Sequence, residues 1–237
     1  MGEPVVFLPG MMCDARLFSH QFLALNADHA VMVAPLTGAS TIGALAAQVL
    51  DAAPKRFALA GLSMGGYCAI AIARAAPERV TRLALLNTSA RPDDPETLSR
   101  RRGLIELSTK GEFKGVTPLL LPLLLSEAGR TDPAIVETIT AMAKRVGQPA
   151  FVRQQKAIMS RVDQRPHLAD IAAPTLVVVG EDDALTPPDL AAELAGGLAD
   201  AELLRIPRCG HLSTLERPDM VNPALRAWLA RPPRTDA

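Results

Sequence analysis

Short apolar runs alternate with longer amphipathic stretches along most of this chain. Six such runs, each four or five residues long, lie beside Gly or Pro, at residues 5–8, 30–34, 57–60, 83–86, 175–179 and 202–206. Runs this short predict buried strands rather than helices. Because helical patterns separate most of them at distances that suit right-handed crossovers, the sequence predicts an α/β fold with a mainly parallel six-stranded sheet flanked by helices.

The alternation is interrupted once, by a long segment without a convincing apolar run. Residues 91–170 contain only amphipathic stretches, at 95–107, 115–125, 133–146 and 149–161. Outside this segment the helical patterns fall at residues 16–25, 41–52, 64–76, 187–198 and 219–230. We therefore predict a core formed by residues 1–90 and 171–237, interrupted by a helical insertion at 91–170.

The sequence GLSMGG at residues 61–66 follows the third predicted strand and opens a predicted helix. It matches G-x-S-x-G, the pattern of a nucleophile elbow. In such a turn the serine, here Ser63, takes strained backbone angles, and the glycines two residues away on either side avoid a collision. A glycine-bearing turn without chemistry is the plain alternative, but the strand before it and the helix after it favour a nucleophilic Ser63.

A serine hydroxyl needs a base, and the base needs a group that orients it. His211 is the candidate base, because it lies in a loop after the last predicted strand, from which an imidazole can reach back to the elbow. The acid is expected at the carboxyl end of the preceding strand, where Glu181, Asp182 and Asp183 compete. Surface or core-edge positions suit the remaining histidines, His20, His29 and His167.

Four places in the chain resemble the α/β-hydrolase superfamily, in its esterase and lipase-like branch with a helical cap. They are Leu8-Pro9-Gly10-Met11, the elbow around Ser63, Gly180 with Asp183 and Thr186-Pro187-Pro188, and Gly210-His211 with Glu216 and Pro218. The resemblance implies a catalytic triad in the order Ser63, Asp183, His211, with the acid three residues after the glycine. It also implies that residues 91–170 are the cap.

The same resemblance implies an oxyanion hole made by two backbone N–H groups, those of Met11 and Met64. The chain departs from the family in two respects. Pro9-Gly10 stands where His-Gly is common, so a side-chain hydrogen bond of that histidine is absent. The first strand begins near residue 5, so we expect the two strands that usually precede it to be lacking.

Composition excludes some classes of partner. The 237 residues carry 25 Lys plus Arg and 25 Asp plus Glu, which leaves no global field to attract nucleic acid or an anionic membrane surface. Aromatic residues make up only 3%, which disfavours base stacking. No membrane span or signal peptide is predicted. The cysteines, Cys13, Cys68 and Cys209, suit a reducing, cytoplasmic setting and no paired-Cys metal site.

These observations and the resemblance together predict a cytoplasmic serine hydrolase without a metal or organic cofactor. Its substrate would be a small-molecule acyl compound, namely a carboxylic ester, thioester or lactone, cleaved through an acyl-enzyme on Ser63. A C–C bond hydrolase, a lyase or an acyltransferase would use the same triad, and a non-catalytic ligand sensor would keep the same pocket. Cys209 is expected to be a buried filler. The leucine-rich residues 119–125 would line the acyl pocket or form the core of the insertion.

Overall fold

The computed structural model describes residues 2–111 and 113–234. Six strands form one sheet in the order β2-β1-β3-β4-β5-β6, and every pairing between them is parallel. The predicted number of strands and the fold class are confirmed. The strands are β1 (Gly2–Leu8), β2 (His29–Val33), β3 (Phe57–Leu62), β4 (Val80–Leu86), β5 (Thr175–Gly180) and β6 (Ala201–Ile206).

The sheet has helices on both faces. In chain order the α-helices of the described residues are α1 (Ser19–Leu25), α2 (Ile42–Ala52), α3 (Met64–Ala75), α4 (Pro95–Lys110), α5 (Leu121–Leu124), α6 (Glu127–Thr131), α7 (Pro133–Met159), α8 (Pro188–Gly197), α9 (Ser213–Glu216) and α10 (Pro218–Ala230). Three short 3-10 helices join them, at Ala15–Phe18, Pro118–Leu120 and Arg165–Asp170. None of the helices in these described ranges is long and apolar enough to cross a membrane.

Alternate residues of each strand face opposite layers of helices. In β1, Val6 and Leu8 belong to the core shared with α2, α3 and α8. Val5 and Phe7 belong to the core shared with α1 and α10. Burial on both faces explains why the four inner strands β1, β3, β4 and β5 contain continuous apolar runs, as expected for parallel strands.

Strand β4 begins earlier than its apolar run suggests. The run starts at residue 83, whereas the strand starts at Val80 and includes Arg82. The Arg82 side chain is buried, and its charge and donors are satisfied there. The guanidinium forms an ion pair with Glu3, and Nε donates to the carbonyl oxygen of Arg231 at 2.9 Å. A buried arginine satisfied in this way leaves no apolar pattern in the sequence.

Residues 91–170 contain α4 to α7 and no strand among those described. The prediction of one helix over 115–125 is wrong. This stretch forms a 3-10 helix and the four-residue α5, and each begins with a proline in its first turn. The helices expected at 133–146 and 149–161 form one long α7, bent at Gly147, which has a φ of 75°. The short helices α6 and α9 had no signal in the sequence. The division into core and cap stays a prediction.

Candidate active site

All six strands point the same way, so their carboxyl ends meet at one edge of the sheet. Strands β2 and β3 lie on opposite sides of β1, so the strand order reverses there. Parallel α/β sheets bind ligands outside the carboxyl ends of the strands at such a reversal. The loop after β1 carries Met11 and the turn after β3 carries Ser63, so both candidate residues lie at the expected place.

The turn at Ser63 has the strained geometry that the sequence predicts. Ser63 has a φ of 56° and a ψ of −117°, an unusual conformation for a non-glycine residue. A Cβ on Gly61 would overlap the carbonyl oxygen of Gly65, and one on Gly65 would overlap that of Leu8. Both glycines are therefore required by the close approach of β3, α3 and the end of β1.

The backbone of Ser63 is held by the neighbouring strand. Its N–H donates to the carbonyl oxygen of Leu86 at 2.9 Å. The hydroxyl of Thr88 donates to its carbonyl oxygen at 2.8 Å. These bonds, from the end of β4, secure the strained turn on the side opposite β1.

Asp183 and His211 form a buried pair at the same edge. Each is 3% exposed, and Nδ1 of His211 lies 2.9 and 3.0 Å from the two carboxylate oxygens of Asp183. Because a carboxylate only accepts, the proton of this pair sits on Nδ1. Nε2 is then the basic nitrogen. Asp182, the rival candidate, is exposed.

Four further donors surround the Asp183 carboxylate. The backbone N–H groups of Leu185 and Thr186 donate at 2.9 Å each, the Thr186 hydroxyl at 2.7 Å and the Asn87 amide at 2.9 Å. Burial raises the pKa of Asp183, but the charge and hydrogen bond of His211 and the bonds from Thr186 and Asn87 outweigh it and lower the pKa below its ordinary value. The carboxylate therefore stays ionised to orient the imidazole.

Asn87 is a site residue that the sequence analysis missed. It is fully buried, with a φ of 46°, and it joins three parts of the edge. Its amide nitrogen donates to Asp183 and to the carbonyl oxygen of Gly210, while its amide oxygen accepts from the Ser213 hydroxyl. The available signal was its position directly after β4, between the elbow and the acid.

The structure does not join Ser63 to His211 by a hydrogen bond. Among the described residues, the Ser63 hydroxyl makes no bond to the imidazole. In proteins without bound substrate such contacts are often long and tighten only in the substrate complex.

Two free backbone donors lie beside Ser63. Within the described residues, neither the N–H of Met11 nor that of Met64 is engaged in a hydrogen bond. A Cβ on Gly10 would lie 3.4 Å from the Cβ of Ser63, so the loop after β1 passes close to the candidate nucleophile. The arrangement offers two N–H groups for a negatively charged oxygen.

Glu216 fixes the histidine loop to the segment 91–170. Its carboxylate accepts from the backbone N–H groups of Gly210 at 3.0 Å and Ser126 at 2.8 Å. The N–H of His211 donates to the carbonyl oxygen of Leu124 at 3.1 Å. Burial raises the pKa of Glu216, and the hydrogen bonds from Ser126 and Gly210 offset this only in part.

The remaining histidines and Cys209 do not take part in the hydrogen bonds between Asp183, His211 and Asn87. Burial raises the pKa of Cys209 far above its ordinary value, which opposes a thiolate nucleophile there. His20 is exposed in α1, and His29 bonds the carbonyl oxygen of Glu3. His167 is half exposed beside Asp170.

Comparison with known proteins identifies the family. Residues 5–224 match the sequence model of the Alpha/beta hydrolase family. This match spans most of the chain, so the chain belongs to the alpha/beta hydrolase family. The resemblance drawn from the motifs is confirmed.

The relatives include hydrolases of several kinds. The chain is 30% identical to the "Putative carbamate hydrolase RutD" of Azorhizobium caulinodans, over 94% of this chain and 90% of that protein. It is 31% identical to a 2-hydroxy-6-oxononadienedioate/2-hydroxy-6-oxononatrienedioate hydrolase of Paraburkholderia xenovorans, over 74% of this chain and 63% of that protein. Among solved structures, a thermophilic esterase from Thermogutta terrifontis matches with a TM-score of 0.88 at 30% identity, covering 97% of this chain and 90% of that one. These relatives support a hydrolase activity.

Proposed function

We propose that this protein is a serine hydrolase that cleaves a small carboxylic ester, thioester or lactone. The observation that carries the proposal is the buried Asp183–His211 pair, at the same sheet edge as a strained Ser63 with two free N–H groups beside it. An esterase among the matching structures supports the choice of an ester bond.

In the proposed reaction, Ser63 Oγ attacks the carbonyl carbon of the substrate while Nε2 of His211 takes its proton. Asp183 holds the Nδ1–H and stabilises the imidazolium that forms. The N–H groups of Met11 and Met64 bind the oxygen that becomes negatively charged. The tetrahedral intermediate collapses to an acyl-enzyme, and His211 donates the proton to the departing alcohol. Water, deprotonated by His211, then hydrolyses the acyl-enzyme and restores Ser63.

A second candidate is the hydrolysis of a carbon–carbon bond. One relative is named for a 2-hydroxy-6-oxo dicarboxylate, a compound without an ester, whose hydrolysis breaks a C–C bond. The same Ser63, Asp183 and His211 would serve that reaction, as they would a lyase or an acyltransferase. The substrate in each case is a small molecule. Three buried cysteines without a disulfide suit a cytoplasmic location, which is part of the proposal.

The first test is labelling with a fluorophosphonate probe, followed by mass spectrometry of the labelled peptide. We expect the probe to modify Ser63 in the wild type and to leave Ser63→Ala unmodified. Ser89→Ala, which removes another buried serine, is the matched control and should be labelled at the wild-type rate. No labelling of Ser63, or equal labelling of wild type and Ser63→Ala, would overturn the enzyme proposal, and the absence of labelling would favour the ligand sensor.

The second test separates the two reactions. We expect p-nitrophenyl esters of increasing chain length to be hydrolysed with a burst of p-nitrophenol, because the acyl-enzyme accumulates. Removal of Ser63 should lower kcat by about 10⁴-fold or more. If Ser63 is labelled and yet every ester, thioester and lactone is inert, the C–C hydrolase is favoured, and 2-hydroxy-6-oxo dienoates become the panel to test.

A further inference from the structure

Gln154 is a buried polar side chain that the proposed reaction does not use. It lies in α7 and is 1% exposed. Its amide oxygen accepts from the backbone N–H of Met12 at 3.0 Å, and its amide nitrogen donates to the carbonyl oxygen of Leu36 at 3.0 Å. The partners lie 142 and 118 residues away in sequence, in the loops after β1 and β2. One side chain therefore connects α7 to two loops at the carboxyl edge of the sheet.

The loop that Gln154 holds is the one that carries Met11. Met12 has a φ of 62°, in the left-handed region that non-glycine residues rarely adopt. Within the loop, the N–H of Cys13 donates to the carbonyl oxygen of Gly10 at 3.2 Å, which closes a tight turn around Met11. Because the Met12 amide is tied to Gln154, the turn cannot relax its unusual φ without breaking a buried hydrogen bond.

The part of α7 that carries Gln154 is itself fixed to the core. The bend at Gly147 separates it from the first part of the helix. The neighbouring Arg153 donates from Nε to the carbonyl oxygen of Thr37 at 2.7 Å. The side chains of Arg153 and Gln154 thus attach adjacent positions of α7 to the loop after β2, so the Gln154 amide has a defined place from which to orient the loop after β1.

We propose that Gln154 is a positioning residue for the oxyanion hole, a role that rests on the function proposed above. It fixes the Met12 amide and thereby keeps the preceding N–H, that of Met11, directed at the substrate oxygen. The oxyanion exists only in the transition state and the intermediate, so this role affects kcat more than KM. Since Gln154 belongs to the predicted cap, the cap then sets the geometry of the reaction as well as the wall of the pocket.

The test compares Gln154→Met with Gln155→Met. The two glutamines are adjacent and equally buried, but Gln155 accepts from Arg101 of α4 and, among the described residues, makes no hydrogen bond to the loop after β1. Methionine keeps most of the volume and removes both hydrogen bonds. We expect Q154M to lower kcat for a p-nitrophenyl ester about tenfold to a hundredfold, less than the loss of an oxyanion donor outright, with KM within about twofold. Q155M should leave kcat at the wild-type value.

Two further variants keep the test decisive. Burial at this position favours the neutral form of a carboxyl group. The neutral group can accept from the Met12 N–H and donate to the Leu36 carbonyl oxygen, as the glutamine does. Gln154→Glu should therefore keep most of the kcat that Q154M loses, measured at pH 6 to 7. Gln154→Leu repeats the comparison if Q154M does not fold. Wild-type kcat in a folded Q154M or Q154L, a loss that lies in KM alone, or the same loss in Q155M would overturn the proposal.

Amide hydrogen exchange separates this proposal from the proposed function. The peptide containing residues 10–13 should exchange faster in Q154M than in the wild type and in Q155M, because the Met12 N–H loses its acceptor. Unchanged exchange would overturn the positioning role even if the wild type is an active esterase. Faster exchange in a protein whose Ser63 is never labelled would support the contact but overturn the serine hydrolase, and with it the oxyanion role of Gln154.

Discussion

The carboxyl edge of the sheet and the segment 91–170 are held together in different ways. At the edge, buried polar groups satisfy one another, and the Asp183 carboxylate accepts four hydrogen bonds besides that of His211. In the segment, α4 buries no side chain and Leu119 is 88% exposed. The edge tolerates few substitutions, while much of the segment is free to vary. Substitutions in α4 should therefore disturb the reacting groups less than substitutions at the edge.

The end of α7 is the exception within the segment. Gln154 bonds to the loop after β1 and Arg153 to the loop after β2. Glu216 and the His211 N–H tie the histidine loop to the middle of the segment, at Ser126 and Leu124. The functional boundary thus runs through the predicted cap rather than along its edge at residues 91 and 170.

Asp183→Asn should show the largest effect at the edge. An asparagine has no negative charge to stabilise the His211 imidazolium. Its amide N–H can also donate to Nδ1, which favours the tautomer of His211 that has its proton on Nε2. We expect kcat to fall about 10⁴-fold with the protein folded, measured with a p-nitrophenyl ester.

Asp182→Asn is the matched control, because Asp182 is the adjacent carboxylate and is exposed. Its kcat should equal that of the wild type. A comparable loss in D182N, or a mild effect in D183N, would contradict the assignment of the acid.

A pair of glycine substitutions compares the two regions directly. In Gly65→Ala the new Cβ would overlap backbone atoms of Leu8 and Pro9, which cannot move cheaply, so we expect the free energy of unfolding to fall by about 3 kcal/mol. In Gly103→Ala, within α4, the Cβ meets open space, and better helix propensity should raise stability by about 0.5–1 kcal/mol. Urea unfolding measures both. If both substitutions change the free energy of unfolding in the same direction, the contrast between the two regions is contradicted.

The difference between the sheet edge and the segment also explains which features could be predicted from the sequence. The four inner strands and the elbow were predictable, because burial on both faces leaves apolar runs and a strained turn demands glycines at fixed positions, here Gly61 and Gly65. In the segment the helical character was predictable, but the break at 115–125 and the bend at Gly147 were not, because prolines at 118 and 122 and the positive φ of Gly147 reshape helices whose apolar patterns look ordinary. Asn87 and Gln154 also escaped, since their bonds span 96 to 142 residues and leave no periodic signal.

Acid unfolding should show that the ionised Asp183 carboxylate stabilises the fold. The pKa of Asp183 is lower in the folded chain than its ordinary value. A carboxylate of this kind contributes stability that is complete above its unfolded pKa, about 4, and that is lost as the pH falls through its folded pKa. We expect the free energy of unfolding of the wild type to fall more steeply below about pH 4 than that of D183N. Parallel curves in urea titrations from pH 7 to pH 3 would contradict this.

The smallest effect is expected at the exposed leucines of the segment. Leu119 is 88% exposed, so Leu119→Gln should change the free energy of unfolding by no more than about 0.5 kcal/mol and leave kcat for p-nitrophenyl acetate unchanged. Leu125, in the same leucine-rich run, is 3% exposed, and Leu125→Ala should lower stability by about 2–5 kcal/mol.

A change in KM confined to long-chain esters would make Leu119 part of the pocket wall. In that case the leucines of residues 119–125 have different roles. Leu125 packs beside the Ser126 amide that Glu216 holds, and Leu119 contacts the acyl chain. If KM is unchanged for every chain length, Leu119 contacts no substrate. The acyl pocket must then be formed by side chains nearer the edge, such as those of Met11 and Met12, and the segment contributes to the reaction chiefly through Gln154.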